Sequence, residues 1–376
     1  MKLLFLINDL GVGGAENMLL RYCREFVADG HDVRVFTMGH CQDMAVEFTD
    51  AGVQLFGPLQ MGRGQRFLKF LKMVNYINRF EPDVISSWLY RSDFTVFFLS
   101  FFIRCTNIGW NIRTSELRFG EISFSTFLLQ RLNAVLSYWK LNFITYNSQA
   151  GKNFHESVGY NSSIGHLLSN GFDTKEKVVT AEKNLQFKSR YGISETDRVI
   201  LYVGRHSLIK DIRALFEVIA DIDIAHNDIK FLICGAGFDD SSLKQYLGDY
   251  HLKNSISFLG LVDDISLAYE NSDVLLLTSF QEGFPNVVAE AMLNKVICIT
   301  FDVGDCRSII SDDDLVCYTR DVSEMSEKVS NVLKLGSAEL LDKKNVMQQR
   351  IETNYSLIKS KNKYIKILAS GKKNEK

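Results

Sequence analysis

The chain has 376 residues, of which 46% are hydrophobic and 23% are charged, and its formal net charge is −2 at pH 7. This length and composition indicate a globular protein of two domains and exclude a disordered or fibrous chain. The balanced charge argues against a general nucleic-acid-binding protein. The charge is nevertheless uneven, because the segment from Lys343 to the end carries ten Lys and Arg residues against two acids.

Seven cysteines are scattered along the chain without a Cys-x-x-Cys pair, which is typical of reduced thiols in the cytosol and not of a zinc site. The apolar run from Leu3 to Ile7 is too short for a signal peptide. The most apolar run, Phe94 to Ile103, is about half a membrane span. We therefore expect a cytoplasmic protein that does not cross a bilayer.

Short apolar runs alternate with helical patterns in both halves of the chain, which predicts an α/β protein with doubly wound parallel sheets. The predicted strands are residues 3–7, 33–38, 53–56, 83–88, 108–112 and 143–146 in the first half, and 199–203, 229–234, 256–260, 273–277 and 296–300 in the second. The polar segment 175–188 is the predicted linker between the halves.

A glycine loop follows the first predicted strand and leads into a helix. A dinucleotide fingerprint would need a third glycine where Glu16 stands and an acid at the end of the second strand, so an NAD site is disfavoured. Gly13 and Gly14 would let the loop approach a phosphate or an acceptor closely, or would simply form a tight turn.

The second half contains a strand, a loop and a helix that together favour an anion site. Glu282 lies in the loop, and the helix begins near Asn286 and carries Glu290 one turn further on. Because the first amides of a helix have no partner within the helix, they offer donors and a positive dipole end to a phosphate. The alternative interpretation is one capping and one solvated glutamate.

Two cations follow another strand of the same half. Arg205 comes directly after residues 199–204, and Lys210 lies five positions on, where the next helix begins. Two fixed positive charges that converge on one point are suited to a departing diphosphate. A pair of solvated side chains is the alternative.

The spacing of eight between Glu282 and Glu290, together with Arg205 and Lys210, resembles the retaining glycosyltransferases of family 4 ("glycosyl transferases group 1") of the bacterial surface-polysaccharide type. This resemblance implies the GT-B fold, with two Rossmann-like domains, a cleft between them and a C-terminal helix that crosses back. It implies an acceptor-binding domain at residues 1–173, a nucleotide-sugar domain at 174–350, and a crossover helix with a basic tail at 351–376.

The resemblance also implies roles for individual residues. Arg205 and Lys210 would hold the donor diphosphate, Glu282 would orient the sugar, and Glu290 would bind the ribose. The residues expected at the donor are Gly13, Gly14, Gly204, Gly235, Leu261, Gly283, Phe284, Asn286, Val287 and Glu290. No cofactor or metal is expected, and the acidic run 312–314 is interpreted as a solvated turn.

Acceptor contacts are expected after the strand 83–88, where many relatives carry a histidine and this chain has Arg91. Arg91 and Asp93 are the acceptor-side candidates, and a surface ion pair between them is the alternative. His155 is interpreted as a structural residue.

The activity implied by the resemblance is transfer of a hexose or N-acetylhexosamine from a UDP-sugar to a saccharide or polyprenyl-diphosphate-linked acceptor, in O-antigen, capsule or exopolysaccharide synthesis. A nucleotide-sugar 2-epimerase and a non-catalytic nucleotide-sugar-binding protein remain alternatives. The basic amphipathic segment 66–73 and the apolar segments 94–103 and 124–136 indicate either peripheral contact with an anionic membrane, at the inner face of the plasma membrane, or ordinary core packing.

Overall fold

The computed structural model describes residues 1–39, 41, 43–57, 66–115, 123–174, 179–248, 250–262 and 264–371. The chain forms two compact units. Unit 1 comprises Met1–Gly171 and Leu357–Lys376, and unit 2 comprises Phe172–Ser356. Each unit has its own parallel sheet and its own buried apolar core.

Unit 1 contains a seven-stranded parallel sheet in the order β3-β2-β1-β4-β5-β6-β7. Its strands are β1 (Lys2–Ile7), β2 (Asp32–Thr37), β3 (Gln54–Phe56), β4 (Val84–Trp88), β5 (Ile108–Ile112), β6 (Phe143–Tyr146) and β7 (Gly165–Leu167). The central strands β1 and β4 are buried on both faces, which explains why they are continuous apolar runs in the sequence.

Helices cover both faces of the unit 1 sheet. They are α1 (Gly14–Ala28), α2 (Ala45–Asp50), α3 (Arg66–Phe80), α4 (Tyr90–Leu99), α5 (Phe124–Leu136) and α6 (Gln149–Ser157). Side chains of α1 and α2 belong to one core cluster, and side chains of α3, α4 and α5 belong to another. The two clusters lie on opposite faces because alternate strand residues point to opposite sides.

Unit 2 contains a six-stranded parallel sheet in the order β10-β9-β8-β11-β12-β13. Its strands are β8 (Arg198–Val203), β9 (Ile229–Cys234), β10 (Ser255–Gly260), β11 (Val274–Leu277), β12 (Ile297–Phe301) and β13 (Val316–Cys317). Its helices are α7 (Ala181–Tyr191), α8 (Ile212–Ala225), α9 (Asp240–Leu247), α10 (Ser266–Glu270), α11 (Asn286–Leu293), α12 (Cys306–Ile310), α13 (Val322–Leu333) and α14 (Ser337–Asn354).

The last helix, α15 (Leu357–Ser370), belongs to unit 1 and packs on α1. Tyr364 anchors it: the rings of Tyr364 and Tyr22 are 5.1 Å apart, and the Tyr364 and Ser86 hydroxyl oxygens are 2.8 Å apart. Among the helices of the described residues, none combines the length and the hydropathy needed to cross a bilayer.

All predicted strands are present, whereas the predicted linker is wrong in its second half. Thr180 caps α7, with its hydroxyl oxygen accepting from the Lys183 amide, so the helix begins inside 175–188. Residues 175–178 lie outside the described residues. In the amphipathic segment 66–73, Leu71 is 45% exposed on α3, and the side chain of Phe67 is outside the described part. All seven cysteines are free thiols.

Candidate functional site

The predicted cations and glutamates lie at the carboxyl edge of the unit 2 sheet. Strands β8 and β11 are neighbours, and the strand order reverses between them, which is the position where open α/β sheets bind ligands. Arg205 and Lys210 follow β8, and Glu282 follows β11. The two loops are joined directly, because the Phe280 amide donates to the Ile209 carbonyl at 2.8 Å.

Lys210 and Glu282 form an ion pair in these loops. Lys210 Nζ is 2.6 Å from Glu282 Oε1, and the Ser279 hydroxyl donates to the same oxygen at 2.7 Å. The side chains are 20% and 15% exposed, so both groups are largely shielded but still open to solvent on one side. The carboxylate is therefore held in one orientation before any ligand binds.

Arg205 is different, because its side chain is exposed. Within the described part of the chain it has no hydrogen-bond or ion-pair partner. It stands at the tip of β8, five residues before Lys210. An Arg side chain in this position can turn toward an anion at the sheet edge without breaking an existing contact.

Arg320, which the sequence did not identify as a site residue, connects the loop after β8 with the loop after β11. Its guanidinium donates to the carbonyl oxygens of Thr278 (2.9 Å) and Ser279 (2.8 Å) and pairs with Asp211, the residue after Lys210. It also stacks on Phe280, with Cζ 4.1 Å from the ring centroid. Arg320 thus fixes the backbone on either side of the Lys210–Glu282 pair.

Gly204 and Gly235 lie where the loops after β8 and β9 touch. Gly235 has a φ of 146°, and a Cβ there would be 2.0 Å from the Gly204 carbonyl oxygen. Any side chain at Gly235 would therefore displace the Gly204–Arg205 backbone. The close approach that the structure shows at Gly235 is between two backbone segments, and the donor contact of Gly204 and Gly235 stays a prediction.

A second glycine contact supports the loop that carries Glu282. Gly304 has a φ of 57°, and a Cβ there would be 2.4 Å from the carbonyl oxygens of both Glu282 and Gly283. The Asp305 amide donates to the Gly283 carbonyl at 3.1 Å. The segment after β12 therefore buttresses the Glu282–Gly283 backbone.

Helix α11 begins at Asn286, with Pro285 at its N-cap, so the amides of Asn286 and Val287 lie in its first turn. Glu290 is one turn further along, and the Tyr269 hydroxyl approaches Glu290 Oε2 at 3.5 Å. Burial and the charge of Glu290 raise the pKa of Tyr269. The helix therefore presents amide donors and, on one face, a carboxylate.

Phe284 does not offer its side chain to a ligand. It is 5% exposed, and its ring packs against Phe172 and Tyr355 at centroid distances of 5.9 and 5.4 Å. Because the ring belongs to the core of unit 2, the donor contact predicted for Phe284 would have to be made by its backbone. Leu261, by contrast, is 83% exposed directly after β10, at the same sheet edge.

The acidic run at 312–314 is a capped turn. The Asp312 side chain accepts from the Asp314 amide at 3.0 Å, and Lys343 Nζ pairs with it at 2.8 Å. Asp313 lies 3.6 Å from Arg307. Two of the three carboxylates are thus engaged by cations of unit 2.

In unit 1, Gly13 and Gly14 begin α1 at the carboxyl end of β1. The Glu16 side chain folds back over this start, since a Cβ on Gly13 would be 2.4 Å from Glu16 Oε2. Burial raises the pKa of the Glu16 carboxyl, and Arg113 opposes that shift. The neighbour of the glycine loop in this structure is therefore the Glu16 carboxyl group, three residues further along the chain.

Of the two acceptor-side candidates, Arg91 is exposed on α4 and Asp93 is fully buried. The Ser87 hydroxyl donates to Asp93 Oδ1 at 2.6 Å, and burial raises the pKa of Asp93 well above its usual value. The surface ion pair with Arg91 is therefore absent, and Asp93 is inaccessible to an acceptor in this structure. The physical reason is that Asp93 lies on the sheet-facing side of α4.

Arg113, which the sequence reasoning did not single out, follows β5 at the same edge of the unit 1 sheet. It is partly buried, bonds to Asn170 Oδ1, and lies with Cζ 4.8 Å from the Trp88 ring centroid. Burial lowers its pKa to about 10. Its position directly after a predicted strand was a signal that could have identified it.

His155 is a buried structural residue, as predicted. Its Nδ1–H donates to the Gly151 carbonyl at 2.6 Å, which leaves Nε2 to accept from the Tyr90 hydroxyl at 2.5 Å. Burial lowers its pKa to about 4, so the ring is neutral.

Two family profiles together match most of the chain. The profile described as Glycosyltransferase Family 4 matches residues 12–176, and the one described as Glycosyl transferases group 1 matches residues 184–352. This chain belongs to the family 4 glycosyltransferases. The glycosyltransferase carries all four of its charged candidates, Arg205, Lys210, Glu282 and Glu290, inside the segment matched by the group 1 profile.

Two relatives of this glycosyltransferase are bacterial enzymes. Over 182 residues it is 29% identical to an N-acetyl-alpha-D-glucosaminyl L-malate synthase of Bacillus anthracis, and the match covers 48% of this chain and 47% of that one. The matched part thus spans about half the length of that relative. Over 347 residues (89% of both chains) it is 25% identical to the GalNAc-alpha-(1->4)-GalNAc-alpha-(1->3)-diNAcBac-PP-undecaprenol alpha-1,4-N-acetyl-D-galactosaminyltransferase of Campylobacter jejuni.

Solved structures share the fold over the full length. HepE of Anabaena, in complex with UDP and glucose, superposes with a TM-score of 0.81 at 17% identity, covering 98% of this chain and 100% of HepE. The apo lipopolysaccharide outer core galactosyltransferase WaaB gives 0.71 at 16% identity, covering 98% and 99%. The prediction of a GT-B protein built from two Rossmann-like parallel-sheet units is confirmed.

Proposed function

We propose that unit 2 binds a nucleotide sugar, with UDP as the nucleotide, and that the enzyme transfers its hexose or N-acetylhexosamine with retained anomeric configuration. The observation that carries this proposal is the Lys210–Glu282 pair beside Arg205 at the point where the strand order reverses. The complex of HepE with UDP and glucose supports the choice of donor class. Retention rests on the family resemblance.

Arg205 and Lys210 stabilise the leaving diphosphate. The ammonium group of Lys210 has three donors and uses one on Glu282, so it can bind a phosphate oxygen without abandoning the carboxylate. Each charge-assisted contact contributes about 1.5–3 kcal/mol. Charge builds on the diphosphate as the bond to the sugar breaks, so these contacts strengthen in the transition state and lower the barrier.

The glutamates bind the two hydroxyl-bearing parts of the donor. Glu282 accepts from sugar hydroxyls, and Glu290 accepts from the ribose. The amides of Asn286 and Val287 at the start of α11 complete the phosphate contacts. No resident metal ion is needed in this scheme, because two side-chain cations and a helix N-terminus supply the positive charge. Activity that survives EDTA would support this point.

For the acceptor we propose a saccharide, or a saccharide on polyprenyl diphosphate, in cell-surface polysaccharide synthesis. The Campylobacter relative that matches 89% of the chain is named for an undecaprenyl-diphosphate-linked substrate, which supports this acceptor class. We assign acceptor binding to unit 1. An acceptor anchored in a bilayer would bring the enzyme to the inner face of the plasma membrane as a peripheral protein.

The proposal is tested by incubating the enzyme with a panel of UDP-, GDP- and dTDP-sugars, with and without lipid-linked oligosaccharide acceptors. We expect stabilisation against thermal unfolding by UDP-sugars and release of UDP that depends on acceptor. Lys210→Met should slow the release by roughly 10²–10³. Conversion of donor alone into another sugar nucleotide would instead identify an epimerase, and binding without any transfer would identify a non-catalytic protein.

A further inference from the structure

Helix α5 (Phe124–Leu136) buries two polar residues and exposes four apolar ones, while Leu129, Ala134 and Leu136 pack on the core. Gln130 and Asn133 are fully buried. On the opposite side, residues spaced by four, four and three positions form one exposed stripe. We call these residues the α5 stripe: Phe124 (66% exposed), Leu128 (47%), Leu132 (43%) and Val135 (58%).

Specific contacts hold the helix in this orientation. The Asn133 side-chain amide donates to the Tyr90 carbonyl at 3.0 Å. At the end of the helix, the Ser137 hydroxyl donates to the Ala134 carbonyl at 2.6 Å and accepts from the Asn161 amide at 2.9 Å. Rotating the helix so that the α5 stripe faced inward would break these hydrogen bonds without forming new ones in their place. The outward stripe is therefore a fixed feature of unit 1.

Neighbouring aromatic side chains enlarge the stripe. Beyond the helix end, Tyr138 and Trp139 are 60% and 54% exposed. Helix α4 packs against α5, and Phe101 and Phe102, which follow α4, are 55% and 60% exposed. Lys140 Nζ lies 5.5 Å from the Phe101 ring centroid and joins the two parts. Exposed apolar side chains grouped on neighbouring helices in this way indicate an interaction site.

The charged residues of α5 and of the segment that follows it are all positive. Residues 123–140 contain the cations Arg131 and Lys140 and no acidic residue. Both cations are exposed, and Arg131 Cζ lies 5.2 Å from the Phe127 ring centroid. On α4, the acidic Asp93 is buried and contributes no charge to the surface.

We propose that the α5 stripe, with Phe101, Phe102, Tyr138 and Trp139, inserts into the headgroup region of an anionic bilayer. Apolar side chains flanked by Tyr, Trp and cations are the pattern that favours a membrane interface. A second copy of this chain fits poorly, because a symmetric contact through α5 would place two cations from each copy in one interface without an acid from residues 123–140 to pair with them. The bilayer contact rests on the peripheral membrane location proposed above, and it does not depend on which donor the enzyme uses.

The test is co-sedimentation of the full-length protein with vesicles, in the absence of donor and acceptor. We expect binding to vesicles of phosphatidylglycerol and phosphatidylethanolamine, and weak binding to phosphatidylcholine alone. The double variant Leu132→Ser/Val135→Ser should lose roughly tenfold or more in partitioning. Arg131→Gln/Lys140→Gln should lose roughly tenfold on anionic vesicles only.

A matched control is Leu185→Ser/Ile224→Ser, which removes two aliphatic side chains of similar exposure (67% and 64%) from unit 2. It should bind vesicles as the wild type does. UDP titration should be unchanged in the α5 variants, which separates loss of membrane binding from failure of the proposed donor site. Equal vesicle binding by wild type and the Leu132→Ser/Val135→Ser variant would overturn the proposal. The proposal would also be overturned if the wild type were a dimer and the Leu132→Ser/Val135→Ser variant a monomer.

Discussion

Lys210 Nζ lies 2.6 Å from Glu282 Oε1, although the two residues are 72 positions apart in the chain. They are adjacent because β8 and β11 are neighbours in the sheet and each residue follows its strand within a short loop. The pair places a cation and a carboxylate, both mostly shielded from water, at the edge where α/β sheets bind ligands. The chemistry we propose for the enzyme depends on this contact.

Removing the Lys210 charge should slow transfer far more than it alters stability. For Lys210→Met we expect kcat/KM to fall by roughly 10²–10³, because the departing diphosphate loses a charge-assisted contact. Arg205→Met should show a similar loss. The measurement is acceptor-dependent UDP release at subsaturating donor.

Arg213→Met is the control, because it removes a positive charge from unit 2 at a position outside the proposed site. Arg213 is 79% exposed on α8 and pairs with Glu217, so it is a cation of the same unit that points into solvent. Its kcat/KM should stay within about twofold of wild type. A matching loss in Arg213→Met would show that the assay responds to general charge and not to the site.

Lys210 and Glu282 should be energetically coupled. A double-mutant cycle with Lys210→Met and Glu282→Gln should give a combined loss in kcat/KM smaller than the product of the two single losses, since either change breaks the same contact. Strict multiplicativity of the two effects would show that the pair seen in the structure has no role in turnover.

Arg320 should act by positioning the loops. Arg320→Met removes three hydrogen bonds and two ring contacts that hold the backbone around Glu282 and Lys210. We expect a loss of about 2 kcal/mol in unfolding free energy and a lower kcat. Arg320→Lys keeps the positive charge but loses the planar guanidinium that donates to several oxygens at once. Relative to Arg320→Met, it should therefore recover stability partly and kcat only slightly. Wild-type kcat in Arg320→Met would contradict the positioning role.

Alanine substitutions at two glycines with nearly the same φ distinguish the effect of backbone strain from the effect of a steric clash with the Glu282 loop. Gly304→Ala and Gly192→Ala both place a Cβ at a positive φ, 57° and 60°, which costs roughly 1–2 kcal/mol. Only Gly304→Ala also collides with the Glu282 and Gly283 carbonyls, whereas Gly192 has nothing within 4 Å. Thermal unfolding and kcat/KM should therefore show a stability loss in both variants and an activity loss in Gly304→Ala alone.

The sequence predicted much of the fold because long apolar runs are buried on both faces of parallel sheets. The strands β7, which is Gly-His-Leu with one apolar residue, and β13, which has two residues, carry too little apolar pattern to be recognised. Arg320 follows β13, so its place at the site edge could not be inferred once that strand was missed. The helix α7 was read as a linker because its apolar residues are few and none is fully buried.

The orientation of the charged residues that follow β4 in unit 1 could not be predicted from the sequence. Periodicity gave no indication that Asp93 turns toward the sheet while Arg91, two positions earlier, turns to solvent. That outcome depends on Ser87, a small buried partner on β4 that compensates the carboxyl group. In unit 2 the positions of Lys210 and Glu282 were easier to infer, because both follow neighbouring strands with clear apolar patterns.

His155 should make the folded state sensitive to mild acid. Its pKa in the folded protein is about 4, below the unfolded value near 6.5, so the unfolded state takes up a proton first as pH falls. Stability is therefore intact above pH 6.5 and is lost as pH drops toward 4, by about 3 kcal/mol at the lower limit. Urea unfolding of wild type and His155→Gln across this range measures the difference. A constant difference between the two proteins would contradict the assignment.

The central claim, that unit 2 binds a nucleoside diphosphate through Arg205 and Lys210, is tested most directly by isothermal titration of UDP. The account predicts one site in the wild type and a Kd at least about a hundredfold weaker in Arg205→Met/Lys210→Met, with Arg213→Met unchanged. Equal UDP affinity in the wild type and the double variant would contradict it, as would the absence of binding to UDP, GDP and dTDP alike.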